Sequence, residues 1–425
     1  MARIPGPSIF VLGRLGLRAL EHPGPVGVEL RARYGDVVRF GVGPMKYFML
    51  FGADANELVL GERNEHLLWG PAVRTLEIVD GPTALVLTDG EEHKRRRRLV
   101  QPAFATRRID AAVDVIIEEA DRVIDSLRVG ATVDLYEAYR DAVRRIVARV
   151  LFGDAPGSLA DELGVALEPA LHFVERPPQL TGRLMPGRRR AAAARAAADA
   201  IVDREIERRR TSGDLGTDIL GALLATELSD AELRDQVVSL IAAGYATTSG
   251  AVAFAILELL RNPSALDRAR TEAASAADPR GGPYVAAVVN ETLRLWPPPL
   301  AARYLTEPVS FRGHEIPARS TITFSPYVTG RDPALWGDDA GEFRPERWLE
   351  DGGFEPAPYS FIPFGGAYRK CIGFGLALTE MQVVVTRLVQ RTSLRLADPH
   401  ARVEGTGIAS MRPEGGLRVI VDDVR

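Results

Sequence analysis

The chain has one cysteine in 425 residues, Cys371, within Pro363-Phe364-Gly365-Gly366-Ala367-Tyr368-Arg369-Lys370-Cys371-Ile372-Gly373. Downstream, Leu376, Leu378, Met381, Val384, Val385 and Leu388 recur at helical spacing, which predicts a helix from Phe374 to about Val389. Cys371 therefore sits where a glycine-rich loop turns into a helix, and the free N–H groups and dipole of a helix start favour a thiolate there. A lone cysteine is more often a buried, inert small residue. A structural zinc site is disfavoured because no second cysteine exists. The loop changes the balance. Gly365 and Gly366 allow close backbone approach to something flat or bulky, and Arg369 offers a cation to an anionic group. A single thiolate so placed suits an axial ligand to haem iron, the ligation that pushes electron density toward O–O cleavage.

Three other stretches could take part in chemistry. His93 and Arg97, four apart in a run from Asp89 to Arg98, share one helical face, and most charges around them read as a solvated basic face. Ala242-Ala243-Gly244-Tyr245-Ala246-Thr247-Thr248-Ser249-Gly250 places hydroxyls at the middle of a long apolar segment, where they more often line a cavity than face lipid. Glu291 and Arg294, three apart, read alone as a surface ion pair.

In order and spacing these stretches resemble the motifs of the cytochrome P450 family. Phe364, Arg369, Cys371 and Gly373 match its haem-loop pattern Phe-x-x-Gly-x-Arg/His-x-Cys-x-Gly, with Ala367 where Gly is usual, a departure that a slightly wider turn would absorb. The resemblance implies Cys371 as the proximal iron ligand, Phe364 packed near the sulfur, Gly365 close to the cofactor and haem b as that cofactor. It also implies that His93, Arg97, Arg303 and Arg369 hold the haem propionates. Ala243 to Ser249 is similar to the distal-helix motif. Gly244 would leave room for dioxygen, and Thr247 would bond it and steer protons. Ala246 stands where an acid is usual, which brings peroxide-driven or non-oxygenating reactions into view. Glu291 and Arg294, with Arg347 of Phe343-Arg344-Pro345-Glu346-Arg347-Trp348, fill the family's buried structural triad. Ala243, Leu300, Ala301 and Ile408 fall where members touch substrate, and small apolar side chains there suggest a bulky, mainly hydrophobic one.

The elements that must position these residues follow from the rest of the chain. Residues 28–34 read as a helix, Val37–Phe40 and Tyr47–Leu50 as a hairpin turning at Gly41, Gly43 and Pro44, and Asp54 as the cap of a short helix. Leu67 to Thr88 reads as a long loop over the pocket. Residues 108–225 are helical in pattern, broken at Gly130, at 153–157 and at Pro177-Pro178, and Arg188 to Arg210 reads as a surface helix. Ser229 and Glu232 form a capping box opening a helix to about Arg261, apolar nearly all round and so either a core helix or a membrane span. The expected fold is mainly α with small β-sheets, with haem between that helix and the Cys371 loop. Residues 1–24 are expected to be a proline-rich extension without an anchor, and 25–425 a single domain.

Composition agrees. Hydrophobic content of 46% and a mean hydropathy of -0.04 describe a soluble globular chain. A net charge of -4 argues against general nucleic-acid binding, and a single cysteine fits a reducing cytoplasm. Lysine occurs only at 46, 94 and 370, leaving 50 arginines among 53 basic residues, which with the alanine content suggests a bacterial source. No second domain is visible, so the electron donor would be separate, such as a ferredoxin or flavodoxin with its reductase. Arg95, Arg96 and Arg98 suit a patch for it. The expected activity is O2-dependent hydroxylation or epoxidation of a hydrophobic small molecule. The alternatives are a peroxide-using, oxidative-coupling or isomerising enzyme and a non-catalytic haem sensor.

Overall fold

The longest helix, Asp230–Arg261, starts where expected. The Ser229 hydroxyl accepts the Glu232 N–H at 3.3 Å and the Glu232 carboxylate accepts the Ser229 N–H at 3.0 Å. It stops at Asn262, whose amide donates to the Glu258 carbonyl at 2.8 Å, and Pro263 opens the next helix, Pro263–Ser275. Its 32 residues span about 48 Å. In the most apolar window of this helix, 72% of the residues are buried against protein, which makes it a core helix. The computed structural model describes residues 4–40, 47–61, 65–153, 159–174, 186–349, 354–408 and 410–425.

The two halves of this helix belong to two cores. Val237, Val238 and Ile241 pack with Val143 and Val147 of helix Leu135–Phe152 and with Val202. Val252, Phe254 and Ile256 pack with Val383 and Val384 of helix Phe374–Arg391 and with Val288 of helix Pro283–Leu295. The hydroxyl-bearing stretch falls at the seam between them. Helix Arg188–Ser212 is less superficial than its composition suggested. Ala191, Ala198, Val202 and Ile206 form a narrow buried stripe against the layer containing Leu159–Val174. Arg209, also buried, pairs with Glu205 and Asp218 at 2.7 Å each. Small alanines let helices approach closely without a strong hydrophobic signal in the sequence.

A five-stranded sheet flanks the helices in the order Val37–Phe40, Tyr47–Leu50, Thr321–Phe324, Ala301–Leu305 and Leu67–Leu68. Its first pair is the expected antiparallel ribbon, Val37 opposite Leu50. The turn at Gly41, Gly43 and Pro44 lies outside the described residues, as do positions 154–157 and Pro177-Pro178. A three-stranded antiparallel sheet sets Arg418–Val424 between Thr132–Asp134 and Thr392–Leu396. The first helix of the Val28 region begins earlier than predicted, at Pro23, because proline is accommodated in a first helical turn. Asp54 does not cap its helix. Gly52 occupies that position, and Asp54 instead accepts from Arg312 at 2.7 and 2.8 Å. The stretch 67–88 is not a plain loop: it holds strand Leu67–Leu68, helix Glu77–Asp80 and two 3-10 turns, too short to show periodicity.

Behind the Cys371 loop lies a buried charge cluster. Glu291, Arg294 and Arg347 are each no more than 1% exposed. One Glu291 oxygen accepts from Arg294 Nη2 at 2.7 Å, Arg347 Nε at 3.0 Å and the Arg344 N–H at 2.9 Å. The other accepts from Arg294 Nε at 2.8 Å and Trp348 Nε1 at 2.9 Å. Glu291→Ala strands two guanidinium groups, so it should cost about 3 to 5 kcal/mol in denaturant unfolding. A loss below about 1 kcal/mol, the scale of an exposed pair, would show that this cluster does not anchor the scaffold.

Candidate active site

The loop before Cys371 is closed by its own backbone: the Cys371 N–H donates to the Phe364 carbonyl at 2.8 Å. The Phe364 ring packs against the main core and lies 6.2 Å from that of Phe374. Gly365 has φ +70°, and Ala367 has φ +47° in the same left-handed region. The turn is therefore not widened to suit alanine, and Ala367 carries a strain of roughly 1–2 kcal/mol that glycine avoids. Gly373 precedes helix Phe374–Arg391 and aims its N–H at the Cys371 sulfur. Cys371 keeps an exposed face. Even so, burial of the sulfur pushes the thiol up, against the opposing pull of the Gly373 N–H, Arg97 and Lys370. The pull toward the thiolate expected at a helix start is present in the Gly373 N–H, and burial opposes it. Desolvation prevails, and a bound cation is what would hold the sulfur ionised.

Four predicted residues converge beside this loop. His93 and Arg97 come from helix Gly90–Val100, Arg303 from its strand and Arg369 from the loop. Arg97 Nη2 donates to the Lys370 carbonyl at 2.8 Å. Arg369 donates to the Thr88 carbonyl at 2.6 Å and pairs with Asp89, which also accepts the Trp69 and Gly70 N–H groups at 2.8 Å each. The Arg303 guanidinium lies 4.1 Å above the Trp69 ring. Cation surplus shows in the protonation equilibria. Burial, then the charges of Arg369, Arg97 and Arg303, drive His93 down to about 3. Burial and Arg369 bring Arg303 down to about 10. Four buried nitrogens here lack a hydrogen-bond partner among the described residues: His93 Nδ1, Trp69 Nε1, Arg303 Nη1 and Arg369 Nε. Unpaired donors with surplus positive charge are the makings of a carboxylate cradle.

Trp69 and Asp89 escaped the sequence reading. Trp69 lies in a stretch without periodicity, and Asp89 looked only like the start of a basic helix. Arg95 and Arg96 do not join an open patch. Both donate to Glu232 at the start of the long helix, Arg96 at 2.8 Å, and Arg96 is buried. Lys94, paired with Glu91 at 2.8 Å, and Arg98 remain at the surface.

On the long helix, Ala243, Ala246 and Thr247 line a cavity of about 340 Å³ with Val86, Leu171 and Ser410. The Thr247 hydroxyl donates to the Ala243 carbonyl at 2.8 Å. Gly244 does not open space here. A Cβ on it would come within 3.2 Å of Val147, so its missing side chain serves the packing of two helices. Thr248 points away from the cavity wall and hydrogen-bonds the buried Glu380 carboxyl, which burial pushes up to about 8. Three expected substrate contacts stand elsewhere. Leu300 packs with Val26, Met49 and Val328, Ala301 with the core of the five-stranded sheet, and Ile408 is not among the residues lining this cavity. Sheet pairing of Ala301 with Phe324 fixes that placement, which local sequence does not reveal.

Comparison with known proteins agrees with this geometry. Residues 4–419 match the family profile described as Cytochrome P450. A putative cytochrome P450 139 of Mycobacterium tuberculosis is 40% identical over 421 residues, covering 93% of this chain and 97% of that protein. A cyclooctat-9-en-7-ol 5-monooxygenase of Streptomyces melanosporofaciens is 30% identical, covering 85% and 83%. The solved structure of a retinoic acid-bound cyanobacterial CYP120A1 superposes with a TM-score of 0.87 at 25% identity, over 96% of each chain.

Two outcomes follow for stability. Ala367→Gly should raise the unfolding free energy by about 1 kcal/mol, and a loss would show that Ala367 is unstrained. Glu380 binds its proton more tightly folded than unfolded, so its contribution is full below about pH 4.5 and lost as pH rises through about 8. Glu380→Gln cannot ionise and should gain on wild type between pH 5 and 8.5, by on the order of 3 kcal/mol. Parallel pH–stability curves would contradict a neutral Glu380.

Proposed function

The chain belongs to the cytochrome P450 family, and we propose that this enzyme inserts one oxygen atom of O2 into a bulky hydrophobic small molecule by hydroxylation or epoxidation. The observation that carries the reading is the cluster of unpaired buried donors beside the loop of the one cysteine, in a fold that also holds a largely apolar cavity. Family members bind haem, and the residues present fit haem b. Cys371 would ligate the iron, and Trp69, His93, Arg97, Arg303 and Arg369 would take the two propionates, with Phe364, Gly365 and Gly373 shaping the ligand loop. When bound, the haem supplies the iron chemistry that activates dioxygen.

The chain's own residues do the rest. The Gly373 N–H and the Arg97 charge favour the thiolate at Cys371 Sγ. The Thr247 hydroxyl donates its hydrogen bond to the Ala243 carbonyl, which leaves its oxygen lone pairs free to accept from water in the cavity and orient it for proton delivery. Ala243 and Ala246 keep that wall apolar and exclude water from the reacting carbon. A relative named for monooxygenation of cyclooctat-9-en-7-ol supports a hydrophobic small-molecule substrate. Electrons would come from a separate ferredoxin or flavodoxin with its reductase, in the cytoplasm, to one haem domain over 25–425 behind the 1–24 extension. Ala246 favours a second reading, a peroxide-using or oxidative-coupling enzyme, because no acid stands at that position of the cavity wall.

The dithionite-reduced, CO-bound spectrum tests the proposal. A strongly red-shifted Soret band, abolished in Cys371→Ser, is expected, with product formed on supplying NADPH, reductase and electron carrier. A band insensitive to Cys371 would overturn haem-thiolate ligation. Turnover with hydrogen peroxide but not with the reductase system would select the second reading.

A further inference from the structure

Two turns along the long helix from Thr247, the cavity wall holds a carboxyl that the reaction above does not use. Asp80 ends helix Glu77–Asp80, is 6% exposed and lines the cavity together with Ser239, whose hydroxyl it accepts. It has no ion-pair partner within 4 Å among the described residues. The nearby cation is engaged elsewhere: Arg195 donates to Asp199 and to the Val79 carbonyl, each at 2.6 Å, and to Asp235. The segment after Asp80 is anchored without it. Asp235 accepts the Thr83 N–H at 3.0 Å and its hydroxyl at 2.7 Å, and Gln236 bonds the Leu85 N–H and the Thr83 carbonyl. The other charged groups lining this cavity differ. Arg140 lies 3.2 Å from Glu137 and 3.6 Å from Glu168, and His172 lies 3.7 Å from Glu168, a more exposed, mutually paired set, while Arg412 lines the wall beside Ser410.

Spacing along the helix converts this acid into a ruler. Ser239, Ala243 and Thr247 follow one another at four-residue intervals and all line the cavity, so they form one stripe. Eight residues separate its ends, about 12 Å of helix. The stripe is polar at Ser239 and Asp80, apolar at Ala243, and reaches the oxygen-handling Thr247 at the other end. Resting on the monooxygenase reading above, we propose that Asp80, backed by Ser239, accepts a hydrogen bond from a substrate hydroxyl and thereby holds an otherwise apolar molecule with its reacting carbon about 12 Å away, near Thr247. A neutral hydroxyl suits this buried carboxyl, whose charged neighbours pair among themselves, Arg195 with Asp199 and Asp235. Burial raises Asp80 to about 7, so the group is poised to serve a neutral partner as well as to ionise against one.

The test titrates ferric holoenzyme with a matched pair of probes, 1-decanol and decane, following the Soret shift. A hydrogen bond to a buried carboxyl should favour decanol roughly tenfold. In Asp80→Leu the preference should fall to about twofold or less while the decane constant holds, since the lost interaction is polar. Asp80→Asn keeps shape and the bond to Ser239, so it serves if the leucine variant fails to load haem, and there the preference should drop several-fold. Equal binding of the two probes by wild type would overturn the assignment, as would equal weakening of both in Asp80→Asn, the mark of a purely structural role. A Soret shift of opposite sign with decanol, from a hydroxyl turned toward iron, would also count against it. Absence of a Cys371-dependent CO band in wild type would instead defeat the haem-thiolate reading. A normal band with no decanol preference removes only the role of Asp80.

Discussion

The carboxylate of Glu291 is the point on which the proximal half of the molecule depends. Five donors converge on its two oxygens, from Arg294, Arg347, Trp348 and the Arg344 backbone. Two cations around one anion would leave an excess charge in a dry interior. Asp339, 3.3 Å from Arg347, offsets it. Arg294 spends its remaining donors on the carbonyls of Gly330, Ala340 and Glu342, so a segment with little regular structure of its own is fastened to helix Pro283–Leu295. From there the constraint passes through aromatic contacts. Trp348 lies 4.6 Å from Phe361, and Phe361 is two residues before the loop that presents Cys371. Desolvating such a cluster is costly, and only its complete pairing makes it tolerable. The return is a loop held in a single geometry.

That loop and its surroundings are not relaxed. Ala367 sits in a glycine conformation, the Cys371 thiol is raised by burial, and unpaired donors crowd beside Trp69. Each is unfavourable for the polypeptide alone, and the last two would be relieved together by a group bearing a cation for the sulfur and carboxylates for the donors. Ligand binding then adds stability that the fold lacks by itself. The two halves of the long helix are held by separate cores, and the stretch Ala242–Thr248 falls where one gives way to the other.

Much of this was legible in the sequence because it is local. The capping box at Ser229, the lone Cys371 after glycines, the Glu291–Arg294 spacing and the His93–Arg97 face each need only a few neighbouring residues to recognise. What could not be read depends on distant partners. Gly244 looked like space for a small ligand, but only the position of Val147 on another helix shows what its missing side chain admits. Arg95 and Arg96 looked like surface charge until Glu232, more than a hundred residues later, was placed against them. For Leu300 and Ala301, expected near substrate only from the resemblance, sheet register and the packing of Val26 and Met49 decide where they lie, and no local pattern shows that. Asp54 followed a correct rule for caps, and a more distant Arg312 outbid the local backbone.

The near-absence of lysine has a consequence for handling the protein. Of its three lysines, Lys94 and Lys370 are described, and both stand at the Cys371 side: Lys370 precedes the cysteine with its ammonium 3.7 Å from the centre of the Phe374 ring, and Lys94 lies within electrostatic range of Tyr368. Arginine carries nearly all the remaining basic charge and is inert to amine-directed reagents. Acylating dyes, amine crosslinkers and activated electrode surfaces would therefore find few side-chain targets, with these two clustered together. Tethering through these two would seat the Cys371 side of the molecule toward the support.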